Sequence, residues 1–267
     1  MNKLLLLLAF IPCFCYALDF VIYNKDKTIE EYEFSRIDSE GNIQTHGYRG
    51  SLPNKSVLGE YERTLATGHL NYPSRIVGHF RNVCTGTLIG PRHILTAGHC
   101  VYSFKKKSFK SRFIFKPGRI DKENSPFGTI QWEHVITLKK FIEGEGFAYD
   151  MAMVILSEPI GEKLGWAAIR ETKNLSQIKI MGYPGDKPRG TMWQVECPVE
   201  EVDKGIIRHK CDTYGGMSGS GIQMPELNND YVTLTGVHVF GGDKSNGAVA
   251  LTHEKLAVLQ EWLKLFK

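Results

Sequence analysis

The sequence predicts an all-β protein finished by a single C-terminal α-helix. Three features predict it. Short apolar runs recur from about Ser74 onward, glycine- and proline-bearing turns separate them, and helical spacing of apolar residues stands out at the end of the chain. Many short strands between frequent turns point to a barrel or sandwich, because βαβ units would alternate strands with longer helical patterns.

Taken in order, the chain begins with the Lys3 charge, an apolar stretch from Leu4 to Phe10, and the cleavage-like Cys15-Tyr16-Ala17. This is the layout of a secretory signal peptide cut after Ala17. The stretch is short for a membrane span, and Pro12 argues against a long anchoring helix. Residues 18–55 hold a strand-like Phe20-Val21-Ile22-Tyr23 piece and a Gly41-Asn42 turn, but nothing that carries chemistry. The strand series follows at Arg75–Phe80, Thr85–Ile89, Arg112–Phe115, Met151–Leu156, Ile178–Met181, Ile206–His209 and Tyr231–Phe240. Turn signals at Pro117-Gly118, Glu143-Gly144, Gly161, Pro184-Gly185, Asp203-Lys204-Gly205 and Asn228-Asn229 divide it. In His253–Lys267, Leu256, Leu259, Leu263 and Phe266 recur at helical spacing beside Trp262, the stripe of a helix packed on the sheets.

Composition bounds the function. A chain of 267 residues, 42% hydrophobic and 23% charged, is long enough for one large or two small domains. The net charge of +4 makes no case for nucleic acid, and Lys105, Lys106, Lys107, Lys110 and Arg112 read as a solvated basic loop. Export implies an oxidising compartment. Of six cysteines, Cys13 and Cys15 lie in the signal, which leaves Cys84, Cys100, Cys197 and Cys211 for two disulfides, with three pairings open. No CxxC spacing marks a zinc or redox centre. His69, His79, His93, His134, His209 and His253 have no ligand spacing, so no metal or cofactor is expected. Asn54-Lys55-Ser56 and Asn174-Leu175-Ser176 are sequons that matter only in a eukaryotic secretory pathway.

Three stretches carry candidate chemistry. Leu95-Thr96-Ala97-Gly98-His99-Cys100 ends an apolar strand on a histidine beside a cysteine that could staple it. Tyr149-Asp150 leads into Met151–Leu156, so the Asp150 carboxylate is partly buried and needs a donor. Residues 211–221, CDTYGGMSGSG, present Ser218 among glycines. Nucleophilic serine chemistry needs a hydroxyl, an imidazole to take its proton and a carboxylate to fix the imidazole's tautomer. The chain order His99, Asp150, Ser218 excludes the α/β-hydrolases, whose nucleophile comes first, and the GxSxG elbow is absent.

That order and its surrounding words resemble the chymotrypsin-like serine proteases, and more closely the secreted bacterial glutamyl endopeptidases. The resemblance covers roughly residues 56–267 through Ser56-Val57-Leu58-Gly59, Cys84-Thr85-Gly86-Thr87-Leu88-Ile89, Gly98-His99-Cys100-Val101-Tyr102, Tyr149-Asp150, Leu156-Ser157-Glu158-Pro159-Ile160-Gly161, Gly182-Tyr183-Pro184-Gly185-Asp186-Lys187 and Asp212-Thr213-Tyr214-Gly215-Gly216. It implies two six-stranded antiparallel barrels of the chymotrypsin type, the first over about 70–160 and the second over about 165–252, with the terminal helix at 253–267. It further implies Ser218 as nucleophile, His99 as general base and then acid, Asp150 as partner of the imidazole, and the N–H groups of Gly216 and Ser218 as oxyanion donors. Ser220 is a bystander, Cys84–Cys100 is the staple beside the histidine, and Cys197–Cys211 is the second bridge. The expected substrates are proteins or peptides met by a monomer, without nucleic acid or stable membrane insertion.

The resemblance also bears on which bond is cut. In the glutamyl endopeptidases a histidine where His238 stands, helped by a threonine where Thr213 stands, binds a substrate carboxylate, while Gly241 and Gly242 leave the pocket open. Asp212, six residues before Ser218, offers the alternative of trypsin-like Lys/Arg specificity. A non-catalytic binding protein on a protease scaffold is the other alternative. Arg75-Ile76-Val77-Gly78 looks like a trypsinogen cleavage site, but Met217 stands where the aspartate receiving the freed amine belongs. Resemblance places the mature start at Ser56 or Val57, making 18–55 the propeptide of a zymogen.

Overall fold

The computed structural model describes residues 18–34, 55–56, 61–81, 83–225 and 231–267. The signal segment through Ala17, the Gly41-Asn42 and Asn228-Asn229 turns, Asn54 and Val57-Leu58-Gly59 lie outside the described residues.

Two closed six-stranded antiparallel barrels and a C-terminal helix make up the fold. Around the first barrel, hydrogen-bonded neighbours run Ile114–Pro117, Val77–Phe80, Cys84–Leu88, His93–Thr96, Ala152–Leu156 and Ile130–Leu138. The ring closes where Ile114 and Phe115 pair with Gln131 and Ile130. Around the second they run Thr233–Phe240, Gly221–Gln223, Gln177–Gly182, Trp193–Asp203, Ile206–His209 and Asn246–Ala250, with the last closing on the first. Closure satisfies strand edges that would otherwise be open to pairing with another chain. Ala152–Leu156 is paired on both edges and buried at every residue, which is why it reads as an unbroken apolar run.

The strand expected at Arg75–Phe80 begins at Val77, because Ser74–Ile76 forms a 3-10 turn. Two long strands escape an apolar-run search. Trp193–Asp203 buries only Val195 and Cys197, and its Glu196, Glu200, Glu201 and Asp203 face water. Ile130–Leu138 is interrupted by Gln131, Glu133 and His134.

The first sheet continues beyond its barrel. Phe20–Asn24 pairs antiparallel with His134–Leu138, and Ile29–Tyr32 pairs on its outer side. Phe20, Val21, Ile22 and Tyr23 are all buried. Phe20 meets Trp262 of the C-terminal helix His253–Leu265 edge-on, with ring centroids 5.8 Å apart. The same helix sends Lys255 Nζ to the carbonyls of Gly205 and Ala250, so it spans from the first sheet to the second barrel. Disulfides join Cys84 to Cys100 and Cys197 to Cys211.

Candidate active site

The short turn Gly98–Val101 follows strand His93–Thr96 and carries His99 into the space between the barrels. The Cys84–Cys100 disulfide ties that turn to the neighbouring strand. Asp150 ends the 3-10 turn Phe147–Tyr149, just before the buried strand Ala152–Leu156, and is itself fully buried. Both of its oxygens are spent on His99. Oδ1 accepts from the His99 backbone N–H at 2.7 Å, and Oδ2 lies 2.7 Å from Nδ1. A carboxylate accepts only, so Nδ1 carries a hydrogen and Nε2 of the neutral ring is left as the base.

Ser218 comes from the second barrel and is held against the first. Its carbonyl accepts from Thr85 N–H at 2.8 Å and lies 3.7 Å from Cys100 Sγ. Thr85 Oγ1 donates to the Gly216 carbonyl at 2.9 Å while accepting from Tyr183 N–H at 3.1 Å, so one fully buried threonine ties the loop to the end of strand Gln177–Gly182. Within the loop, Met217 N–H donates to Tyr214, Gly219 N–H to His238 and Ser220 N–H to Met217. Among the described residues, the N–H groups of Gly216 and Ser218 meet no backbone carbonyl. Gly216 has φ +107°, and a Cβ there would stand 2.4 Å from the Tyr183 carbonyl oxygen. Only glycine takes that backbone without strain.

On the other side of the loop lies His238, whose carbonyl accepts from Gly219. Its ring is buried and stands 5.4 Å from the His209 ring. Burial, with the nearby His99 adding to it, pushes the His238 pKa down to about 3, so the imidazole is neutral at physiological pH. Burial and His238 likewise hold His209 well below the usual range. Thr213 is buried in a two-residue strand paired with Lys55–Ser56, with Ser56 opposite Thr213. Gly241 follows Phe240 at the end of the His238 strand. Ser220 is buried, and its hydroxyl has no hydrogen-bond partner among the described residues.

Asp212 is engaged elsewhere. Its Oδ2 accepts from Arg63 Nε at 2.8 Å, while the two terminal nitrogens of Arg63 grip Asp186 at 2.8 and 2.7 Å. Arg63, Thr85 and His209 were not legible as site residues. Arg63 sits in an unremarkable polar stretch, and Thr85 acts through its hydroxyl from an ordinary strand.

The described residues hold two clusters with metal-ligand spacing, Cys84–His99–Cys100 and Cys197–His209–Cys211. In both, the sulfurs are consumed by a disulfide and are not thiolates, so the donor set does not suit a metal. No helix among the described residues is long and apolar enough to cross a membrane.

Comparison with known proteins bears on this geometry. The trypsin family model matches residues 64–263. A glutamyl endopeptidase of Bacillus licheniformis is 33% identical over 222 residues, covering 78% of this chain and 69% of that protein. A protein named extracellular metalloprotease from Bacillus subtilis is 28% identical over 249 residues, covering 88% of this chain and 77% of its own. A solved structure of a Glu endopeptidase in complex with MPD superposes with a TM-score of 0.71 at 28% identity, covering 77% of this chain and 98% of that one.

Proposed function

This chain belongs to the trypsin family of chymotrypsin-like serine endopeptidases, and on that premise we propose that it cleaves peptide bonds after glutamate through Ser218, His99 and Asp150. His99 Nε2 takes the Ser218 proton as Oγ attacks the scissile carbonyl carbon. The oxygen that becomes negative is met by the Gly216 and Ser218 N–H groups, which meet no backbone carbonyl among the described residues. Asp150, with both oxygens on His99, stabilises the imidazolium. As the tetrahedral species collapses, the C–N bond breaks and the leaving amine takes the proton from Nε2. Water then repeats the cycle on the acyl-enzyme, releasing the acid and restoring the Ser218 hydroxyl.

The observation that carries the specificity is the Arg63–Asp212 pair. A lysine or arginine side chain approaching Asp212 would meet a carboxylate whose Oδ2 is already taken by the buried Arg63 guanidinium. His238 and Thr213 then supply the pocket's polar contacts: a neutral imidazole and a hydroxyl, both able to donate to a carboxylate. Gly241 leaves room for the side chain to enter. The test is a peptide-library digest with identification of product C-termini. Glutamate is expected, and lysine or arginine would overturn the reading. Labelling by a serine-directed fluorophosphonate, lost in Ser218→Ala, tests the chemistry itself, and an unlabelled wild type would refute it.

Secretion and zymogen activation complete the proposal. Two disulfides and relatives that include a protein named extracellular support an exported enzyme. The pairing of Ser56 with Thr213 supports a cut near residues 55–56, since the new N-terminus would form beside the pocket. The enzyme acts as a monomer on protein or peptide substrates. N-terminal sequencing of active material tests the cut.

A further inference from the structure

A groove of about 500 Å³ opens beside the nucleophile loop, lined in part by Val83, Tyr214, Gly215, Gly216, Lys187 and Arg189. It shares Gly216 with the oxyanion donors, but Thr213, His238 and Gly241 do not line it. Alternate residues of a strand face opposite sides, and Thr213-Tyr214 is such a strand. Tyr214 therefore faces away from the acid pocket's Thr213. Val83 precedes Cys84, whose disulfide to Cys100 puts this wall next to His99. His99 must protonate the leaving amine, so the groove lies where the residues after the scissile bond have to run.

Its charge is uneven. Among the described residues, neither Lys187 nor Arg189 pairs with a carboxylate, and Lys187 Nζ rests 4.4 Å from the Trp193 ring centroid. Lys116 and Arg119 add to the positive field, their pKa values lowered by burial first and by Arg189 among the neighbouring charges. Of the nearby carboxylates Asp186 is held by Arg63, which leaves Asp121 and Glu123, acting on Arg119 and Lys116, against these four cations.

We propose that this groove binds the leaving side of the substrate and selects an acidic side chain within two residues after the scissile bond. The proposal rests on the protease reading above and deepens it. The test uses activated enzyme and internally quenched peptides that differ only at those positions, carrying Glu, Ala or Lys. An acidic preference of roughly fivefold in kcat/KM over Lys is expected, shrinking at high salt. In Lys187→Ala/Arg189→Ala the ratio should fall to about one, with the melting temperature reporting on the fold. No acidic preference in the wild type, or one that survives the double variant, overturns the proposal. If the enzyme refuses glutamate before the bond, the same series is run with whichever residue it accepts there, so the two readings fail separately.

A different observation carries a second inference. The segment assigned to a propeptide is woven into the first sheet. Phe20 to Asn24 pair one-to-one with Leu138 to His134, occupying the edge of that strand beyond the two residues that close the barrel. Tyr23 stacks on Phe109 and Trp132 at 4.7 and 5.6 Å, and Lys139 pairs with Glu31 and donates its N–H to Asp19. Removing the segment would bare a strand edge and the aromatic faces beneath it.

We infer that after cleavage near residues 55–56 the N-terminal segment stays bound as a non-covalent strand of a two-chain enzyme. Activated protein is passed over size exclusion and its peaks weighed by mass spectrometry. Co-elution of the segment with the protease body, and its loss under denaturant or in Phe20→Asp/Ile22→Asp, is expected. An active body free of the segment, with an unchanged melting temperature, overturns the inference. An active chain of a single uncut mass overturns the cut and the inference together.

Discussion

Arg63 and Asp212 are joined across 149 residues of chain by a 2.8 Å hydrogen bond in which both side chains are almost wholly buried. Asp212 is the residue that sequence left between two specificities, and its partner decides which is physically available. Arg63→Ala would strand a buried carboxylate, a loss of about 3–5 kcal/mol by the usual cost of breaking a buried pair. Guanidinium unfolding measures it. Arg63→Ala/Asp212→Asn should recover part of that loss, because the charge then left alone is that of Asp186, which is part-exposed. Asp212→Asn alone should keep the preference for glutamate, which a Lys/Arg-reading Asp212 would not allow.

His238→Ala should separate pocket from chemistry. The imidazole lies beside the nucleophile loop but has no bond to His99 or Asp150, so fluorophosphonate labelling should change little. Cleavage after glutamate should fall about 100-fold, the equivalent of about 2.7 kcal/mol of transition-state binding. Equal loss in both assays would make His238 a structural residue.

Gly216→Ala meets two obstacles at once: a φ of +107° and a carbonyl oxygen 2.4 Å from the new Cβ. The loop must shift, and the Gly216 N–H moves with it. A drop in kcat of about 100-fold or more is expected with little change in KM, since the donor acts on the developing oxyanion. Steady-state kinetics distinguish this from a binding defect, which would raise KM.

Much of the fold was legible because its strands are short, apolar and punctuated by glycine. Ala152–Leu156 and Ile206–His209 declare themselves this way. Trp193–Asp203 does not, because one face of a long hairpin is turned to water and its carboxylates hide the period. The His99–Asp150 contact could be anticipated from residue types in order. Arg63 could not, because its meaning lies in a contact with Asp186 and Asp212 that only the folded chain creates. The strand at Phe20–Asn24 was visible as strand-like, but its partner edge was not, since register with His134–Leu138 leaves no local sign.

Lys255 gives the clearest pH signature. It is fully buried on the C-terminal helix, with Nζ 3.1 Å from the Ala250 carbonyl and 3.3 Å from that of Gly205. Burial, opposed by Glu254, pushes its pKa down to about 7. In the unfolded chain it returns to about 10.4. Above pH 7 the unfolded state therefore keeps a proton the folded state has released, so stability must rise with pH. The gain approaches about 1.4 kcal/mol per pH unit at most. Lys110, lowered by burial to about 8, acts with the same sign but only above that value. Between pH 7 and 8 the buried His209 and His238 add a slope of the same sign that fades as the unfolded imidazoles lose their protons, so the guanidinium midpoint should climb there in the wild type and climb less steeply in Lys255→Met. An equal climb in the variant would mean that Lys255 keeps its proton in the fold, carried by the two carbonyls alone.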